Sequence, residues 1–139
     1  MITAAFRQLL ALLGMALVPA LVAGALQLKW NKEAPLLPDE IRLTTAMAWG
    51  EKTLWVDARD AEQFSHEHIP GAVSLTTDGW EELVPPFLDA WDPEKSIIVY
   101  GQGSAADDDA HAVSVRLREE LKLDGVFVLK GGWAAWLQK

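Results

Sequence analysis

The residues best placed to do chemistry lie in one loop, Tyr100-Gly101-Gln102-Gly103-Ser104-Ala105-Ala106-Asp107-Asp108-Asp109. It follows the apolar run Ile97-Ile98-Val99 and leads into a helical pattern that starts near Ala110. Gly101, Gln102, Gly103, Ser104, Ala105 and Ala106 are its candidate ligand-binding residues. A strand, a loop of small residues and a helix N-terminus make a place to hold an anion, because unpaired backbone N–H groups converge there. This loop lacks a nucleophile whose pKa could be lowered, and the three carboxylates at its end oppose an anion's field. One aspartate is expected to cap the helix, and the others favour its first turn through the dipole. Ser104 reads as a turn residue: a serine without an adjacent base is a weak nucleophile, and nothing in the sequence aims His111 at it.

Three other groups invite a chemical reading. Asp57 and Arg59 stand at the end of an apolar run and are expected to form a hydrogen-bonded ion pair that fixes neighbouring loops. His66, His68 and His111 offer imidazoles, but the first two fall at a turn, and no metal site is expected from them. The aspartates Asp107 to Asp109 lack the glycine-spaced surroundings of a calcium loop, so they carry no expected metal or other cofactor. The seven tryptophans are scattered along the chain and are expected to fill a core, since no single stretch supplies the rings of an aromatic cage.

Composition narrows the chemistry further. The chain of 139 residues contains no cysteine, which removes disulfides, thiolate nucleophiles and Cys-type zinc sites together. Half of the residues are hydrophobic and 23% are charged, as in a folded protein. Up to Lys32 the only charges are Arg7, Lys29 and Lys32, so that stretch is +3 and the remainder, from a total of −8, is −11. Such an acidic domain repels phosphate backbones, and nucleic acid is excluded as a partner.

The elements that must position the loop can be taken in chain order. Residues 1–30 form a transmembrane anchor or a signal peptide: from Leu9 to Leu26 no side chain is polar, long enough to span a bilayer. Trp30 and the lysines beside it suit a membrane interface and a retained anchor through residues 9–28; Ala23-Gly24-Ala25 suits cleavage near Ala25. Either way the domain is expected on the far side of a membrane, as a single-pass membrane protein or, after cleavage, a secreted or periplasmic one. Residues 31–38, with Pro35 and Pro38, read as a stiff linker to a domain over residues 39–139.

Within that domain Glu40-Ile41-Arg42-Leu43 is expected to be a first strand, with Thr44 or Thr45 capping a helix that ends near Gly50. Thr53 to Asp57, Ala72 to Leu75, Ile97 to Tyr100 and Val126 to Leu129 read as further strands. Asp60 is expected to cap a helix over Ala61 to His66. A helix over Asp78 to Trp91 should break or kink at Pro85-Pro86. The amphipathic pattern of Ala110, Val113, Val115, Leu117 and Leu121 predicts another, and a short last helix carries Trp133, Trp136 and Leu137. Short apolar strands alternating with helices predict an α/β fold with a largely parallel sheet covered on both faces, its ligand edge at the strands' carboxyl ends.

The runs Trp55-Val56-Asp57-Ala58-Arg59-Asp60-Ala61-Glu62-Gln63-Phe64 and His68-Ile69-Pro70-Gly71-Ala72-Val73 resemble the rhodanese-like domain family, as does Val126-Phe127-Val128-Leu129-Lys130-Gly131-Gly132-Trp133. The resemblance covers about Leu37 to Lys139. It implies a central parallel sheet with helices on both faces, and a structural role for Asp57, Arg59, His68 and Gly71. In active members a cysteine opens the loop and carries sulfur as a persulfide; Gly101 stands at that position here, and Glu67 replaces the glycine before His68. Glycine offers no atom to hold sulfane sulfur, and oxygen from Ser104 cannot replace a thiolate. The expected function is therefore a non-catalytic binding or structural module with an unknown protein partner. The alternatives are a sulfurtransferase-related enzyme subunit whose partner supplies the cysteine and, more remotely, a cation-dependent module using the aspartates.

Overall fold

The computed structural model describes residues 35–103 and 108–139. The apolar N-terminal run and the first half of the linker, and with them the anchor-or-signal expectation, lie outside the described residues, as do Ser104, Ala105, Ala106 and Asp107. Leu36–Lys139 forms one compact unit. Among the described residues no helix is long and apolar enough to cross a membrane.

Five strands, β1 (Glu40–Ile41), β2 (Thr53–Asp57), β3 (Val73–Ser74), β4 (Ser96–Tyr100) and β5 (Val126–Leu129), form one sheet in the order β1-β5-β4-β2-β3. Every pairing is parallel. The continuous apolar run of β4 follows from its central place: Ile97, Ile98, Val99 and Tyr100 are all fully buried, as a strand covered on both faces must be.

Among the described residues five α-helices cover the sheet: α1 (Leu43–Trp49), α2 (Ala61–His66), α3 (Trp80–Ala90), α4 (Asp108–Glu119) and α5 (Gly132–Leu137). Val56, Leu75, Val99 and Val128 pack under α3 and α4, against Phe87, Val113 and Leu117. The other face places Ile41, Ile98, Tyr100 and Leu129 against Ala46 of α1 and Trp133 of α5, with half-buried Trp49, Trp55, Phe64, Phe127 and Trp136 around them. Each fully buried large apolar side chain contributes about 1.5–3 kcal/mol relative to exposure.

The structure departs from the sequence expectation in four places. β1 stops at Ile41 because its partner β5 stops at Leu129, and Leu43 turns into the second core instead of extending the strand. The helix that follows starts at Leu43 after the extended Arg42, and neither Thr44 nor Thr45 caps it. Pro85 and Pro86 do not break α3: the carbonyls they leave unbonded belong to exposed Glu81 and Glu82, where water can take the place of the missing N–H. α4 ends at Glu119, so Leu121 lies beyond it and Val115 points outward, 42% exposed. By contrast Asp60 caps α2 as its position predicts, its Oδ1 accepting from the Gln63 N–H at 2.8 Å.

Candidate functional site

The parallel register of β2 and β4 sets Asp57 beside Tyr100 at the carboxyl edge of the sheet. Asp57 is fully buried and Arg59, two residues on, is 5% exposed. The Arg59 guanidinium donates from Nη2 to Asp57 Oδ2 at 2.7 Å and from Nε to Oδ1 at 3.1 Å. The Arg59 backbone N–H donates to the same Oδ1 at 2.9 Å. The Tyr100 hydroxyl donates to Asp57 Oδ2 at 2.8 Å and accepts from the Ile69 N–H at 3.1 Å. Arg59 Nη2 reaches one step further, to the Glu67 carbonyl at 2.7 Å. Its guanidinium lies 4.4 Å from the centre of the Trp133 ring and 5.6 Å from that of Tyr100. A buried ion pair is tolerated when hydrogen bonds reach its polar atoms, and here both Asp57 oxygens and Arg59 Nε and Nη2 find partners.

The same surroundings shift the titration of the group. Burial works to lower the Arg59 pKa, but the hydrogen bonds and charge of Asp57 outweigh it, and the net shift is upward. Burial pushes the Tyr100 phenol well above its ordinary 10.0, and the Asp57 charge adds to this. A group whose pKa rises on folding contributes stability that is complete below its unfolded pKa and is lost as pH climbs past it. Tyr100 is the only tyrosine in the chain. Tyrosinate absorbance in an alkaline titration is therefore expected to appear together with loss of tryptophan-reported structure. Ionisation of a still-folded chain near pH 10 would contradict the buried bond.

The second motif closes the turn between α2 and β3. His68 donates through Nδ1 to the Phe64 carbonyl at 2.8 Å and stacks on the Phe64 ring, 4.1 Å between centroids. Gly71 follows with φ 81°, a left-handed conformation that glycine adopts without cost from a Cβ. The three histidines are not brought together. His66 is exposed on α2, and His111 on α4 has Nε2 4.0 Å from Glu40 Oε1. Among the described residues no three His, Asp or Glu side chains converge as a metal site would require.

The loop after β4 is held by its opening residues. Gly101 is buried and its carbonyl accepts from the Trp133 N–H at 2.8 Å; the Gln102 carbonyl accepts from Ala134 at 3.2 Å. The Gln102 side chain is exposed and receives Gln63 Nε2 at 3.0 Å. Gly103 has φ 98°, and a Cβ there would lie 2.1 Å from the Gly131 carbonyl oxygen. The loop thus starts clamped to the first turn of α5. Near its far end a cavity of about 510 Å³ is lined by Ser74, Thr76, Asp60, Asp78, Glu82 and Asp109, among others. Among the described residues no Lys, Arg or His lines it.

Sequence reasoning missed two members of the buried cluster, reading Tyr100 as a strand residue and Trp133 as core. A signal existed for the first. A phenol ending an otherwise apolar buried strand needs a polar partner, and Asp57 ends the neighbouring one.

Three kinds of comparison bear on this geometry. The sequence profile described as Rhodanese-like domain matches residues 42–139. Among curated proteins no sequence matches significantly. Among solved structures, BH2092 from Bacillus halodurans is 26% identical, with a TM-score of 0.61 over 84% of this chain and 80% of that one. The rhodanese-like domain of Alr3790 from Anabaena sp. is 29% identical, with a TM-score of 0.53 over 73% of this chain and 75% of that one. EanB, solved with ergothioneine covalently linked to a persulfide cysteine, is 24% identical with a TM-score of 0.56. That match covers 72% of this chain but 26% of EanB, and it is a likeness of fold. With the profile covering most of its length, the chain belongs to the rhodanese-like domain family, as a member that contains no cysteine.

Proposed function

We propose that this protein is a non-catalytic rhodanese-like domain, tethered to a membrane through residues 9–28 and acting outside the cytoplasm as a binding or structural module. The observation that carries this reading is Gly101, at the position where active members of the family hold sulfur on a cysteine, in a chain with no thiol anywhere. The acidic cavity beside the loop supports it, because its carboxylates repel thiosulfate. The apolar run from Leu9 to Leu26 supports the tether.

Purified full-length protein, assayed for thiosulfate:cyanide sulfurtransferase activity without added thiols, is expected to stay at background. Turnover above background in a preparation free of contaminating thiols would sink the proposal. Gly101→Cys is expected to stay at background too, since it restores the sulfur carrier but leaves Asp60, Asp78, Glu82 and Asp109 lining the nearby cavity, where they oppose an anion. A second reading, an enzyme subunit completed by a partner's cysteine, draws on the buried, hydrogen-bonded Asp57–Arg59–Tyr100 cluster beside the loop. A co-purified cysteine-containing partner that restores sulfur transfer would decide for it.

A further inference from the structure

The two faces of the sheet differ in charge. α3 and α4 carry Glu81, Glu82, Asp89, Asp109 and Glu119 against two arginines, whereas α1 and α5 carry no charged side chain at all. The neighbouring elements on that second side carry acids, Glu51 in the turn Gly50–Lys52, Glu62 on α2 and Glu67 at the end of α2. Its exposed large apolar side chains are Met47 on α1 and Leu137 on α5, 48% and 59% exposed. Beneath them Trp49 packs on Phe127 and Trp136 on Trp55, all four half-buried. Lys139 Nζ lies 3.5 Å from the centre of the Trp136 ring, beside Leu137.

We propose that this uncharged aromatic face, built on α1 and α5, docks on the lipid headgroup zone of the membrane. The inference rests on the tether proposed above. The length of chain leading into the domain argues for lipid over a distant partner. Leu36 is only ten residues beyond Leu26, the last residue of the apolar run, a reach of at most about 35 Å when fully extended. A domain of this size has a radius of gyration of about 13 Å, so it cannot leave the bilayer's neighbourhood. Leu36 and Leu37, where the chain enters, are themselves 40% and 53% exposed.

Charge selects the face. A domain carrying −11 is repelled by an anionic membrane surface, and that repulsion is smallest with α3 and α4 turned outward, their carboxylates beyond a screening length of about 8 Å. The inward face then presents the chemistry that partitions to the interface: tryptophan rings, a few exposed apolar side chains and a lysine at the edge.

Because the chain has no cysteine, Met47→Cys, Leu137→Cys, Leu88→Cys and Val115→Cys each introduce one site for a fluorescent label. Leu88 on α3 and Val115 on α4 serve as controls on the acidic face, each 42% exposed. The labelled full-length chain is reconstituted in phosphatidylcholine vesicles with and without nitroxide-bearing lipid. Labels at Met47 and Leu137 are expected to be quenched by that lipid several-fold more than labels at Leu88 and Val115. Equal quenching at all four sites, in a chain that floats with the vesicles, would overturn the docking and leave the tether standing. Labels at Met47 and Leu137 that are shielded from aqueous iodide yet not quenched by the lipid would also overturn it, by showing the face covered by protein. A chain that stays in the aqueous phase would overturn tether and docking together.

Discussion

Arg59→Ala is expected to destabilise the domain by about 3–5 kcal/mol, the usual cost of removing one partner from a buried ion pair. The substitution leaves the Asp57 carboxylate with no exposed surface and only two remaining donors, the Tyr100 hydroxyl and the backbone N–H of residue 59. It also releases the Glu67 carbonyl and removes the cation from the face of Trp133. Domains of this size are stable by about 5–15 kcal/mol, so the loss takes a large share of the whole. Urea unfolding followed by tryptophan fluorescence measures it directly. Arg59→Lys should recover little, because one ammonium cannot make the paired contact with Asp57 and also reach Glu67. A loss of under about 1 kcal/mol for Arg59→Ala would place the pair with ordinary surface salt bridges and would mean that water reaches Asp57.

Gly103→Ala is the second large effect, about 2–6 kcal/mol. Two costs combine: about 1–3 kcal/mol for a side chain held at φ 98°, and about 1–3 for forcing extra volume into a packed contact. The colliding atom is the Gly131 carbonyl oxygen, which is backbone and cannot swing aside. Relief requires α5 to move, and with it the Trp133 and Ala134 bonds to the Gly101 and Gln102 carbonyls. The diagnostic is therefore coupling: Gly103→Ala should lower the denaturation midpoint and also perturb the environment of Trp133, which packs on Arg59. Gly125→Ala tests the backbone term alone, since it shares a positive φ, 68°, but a Cβ there meets nothing. If the two variants lose the same stability, the close approach of loop and helix contributes nothing.

How legible these features were depends on which residues encode them. Ile97 to Tyr100 and Val126 to Leu129 announce buried strands because continuous apolar runs of that length have few other uses. Asp60 announces its cap because the helix start and its donor are local in sequence. α3 does not break at its prolines, because the carbonyls they orphan belong to exposed residues, which the sequence does not show. The end of β1 is set by where β5 stops, at the far end of the chain, and no local pattern carries that. The site divides in the same way. Asp57 and Arg59 pair across two residues and could be read; Tyr100, 43 residues from Asp57, and Trp133 reach the cluster only through strand register and the α5 turn.

The sheet order has a consequence for how the protein comes into being. β1, the first strand made, has β5, the last, as its neighbour in the sheet, and β4 must find β2 on its other side. During synthesis β2, β3 and β4 can assemble as soon as they emerge, but β1 must wait for nearly the whole domain to be translated. Contacts so distant in sequence slow folding. Through that interval the nascent chain keeps an unpaired strand next to a long apolar segment. The shortness of β1, two residues, limits what that waiting edge can recruit from other chains.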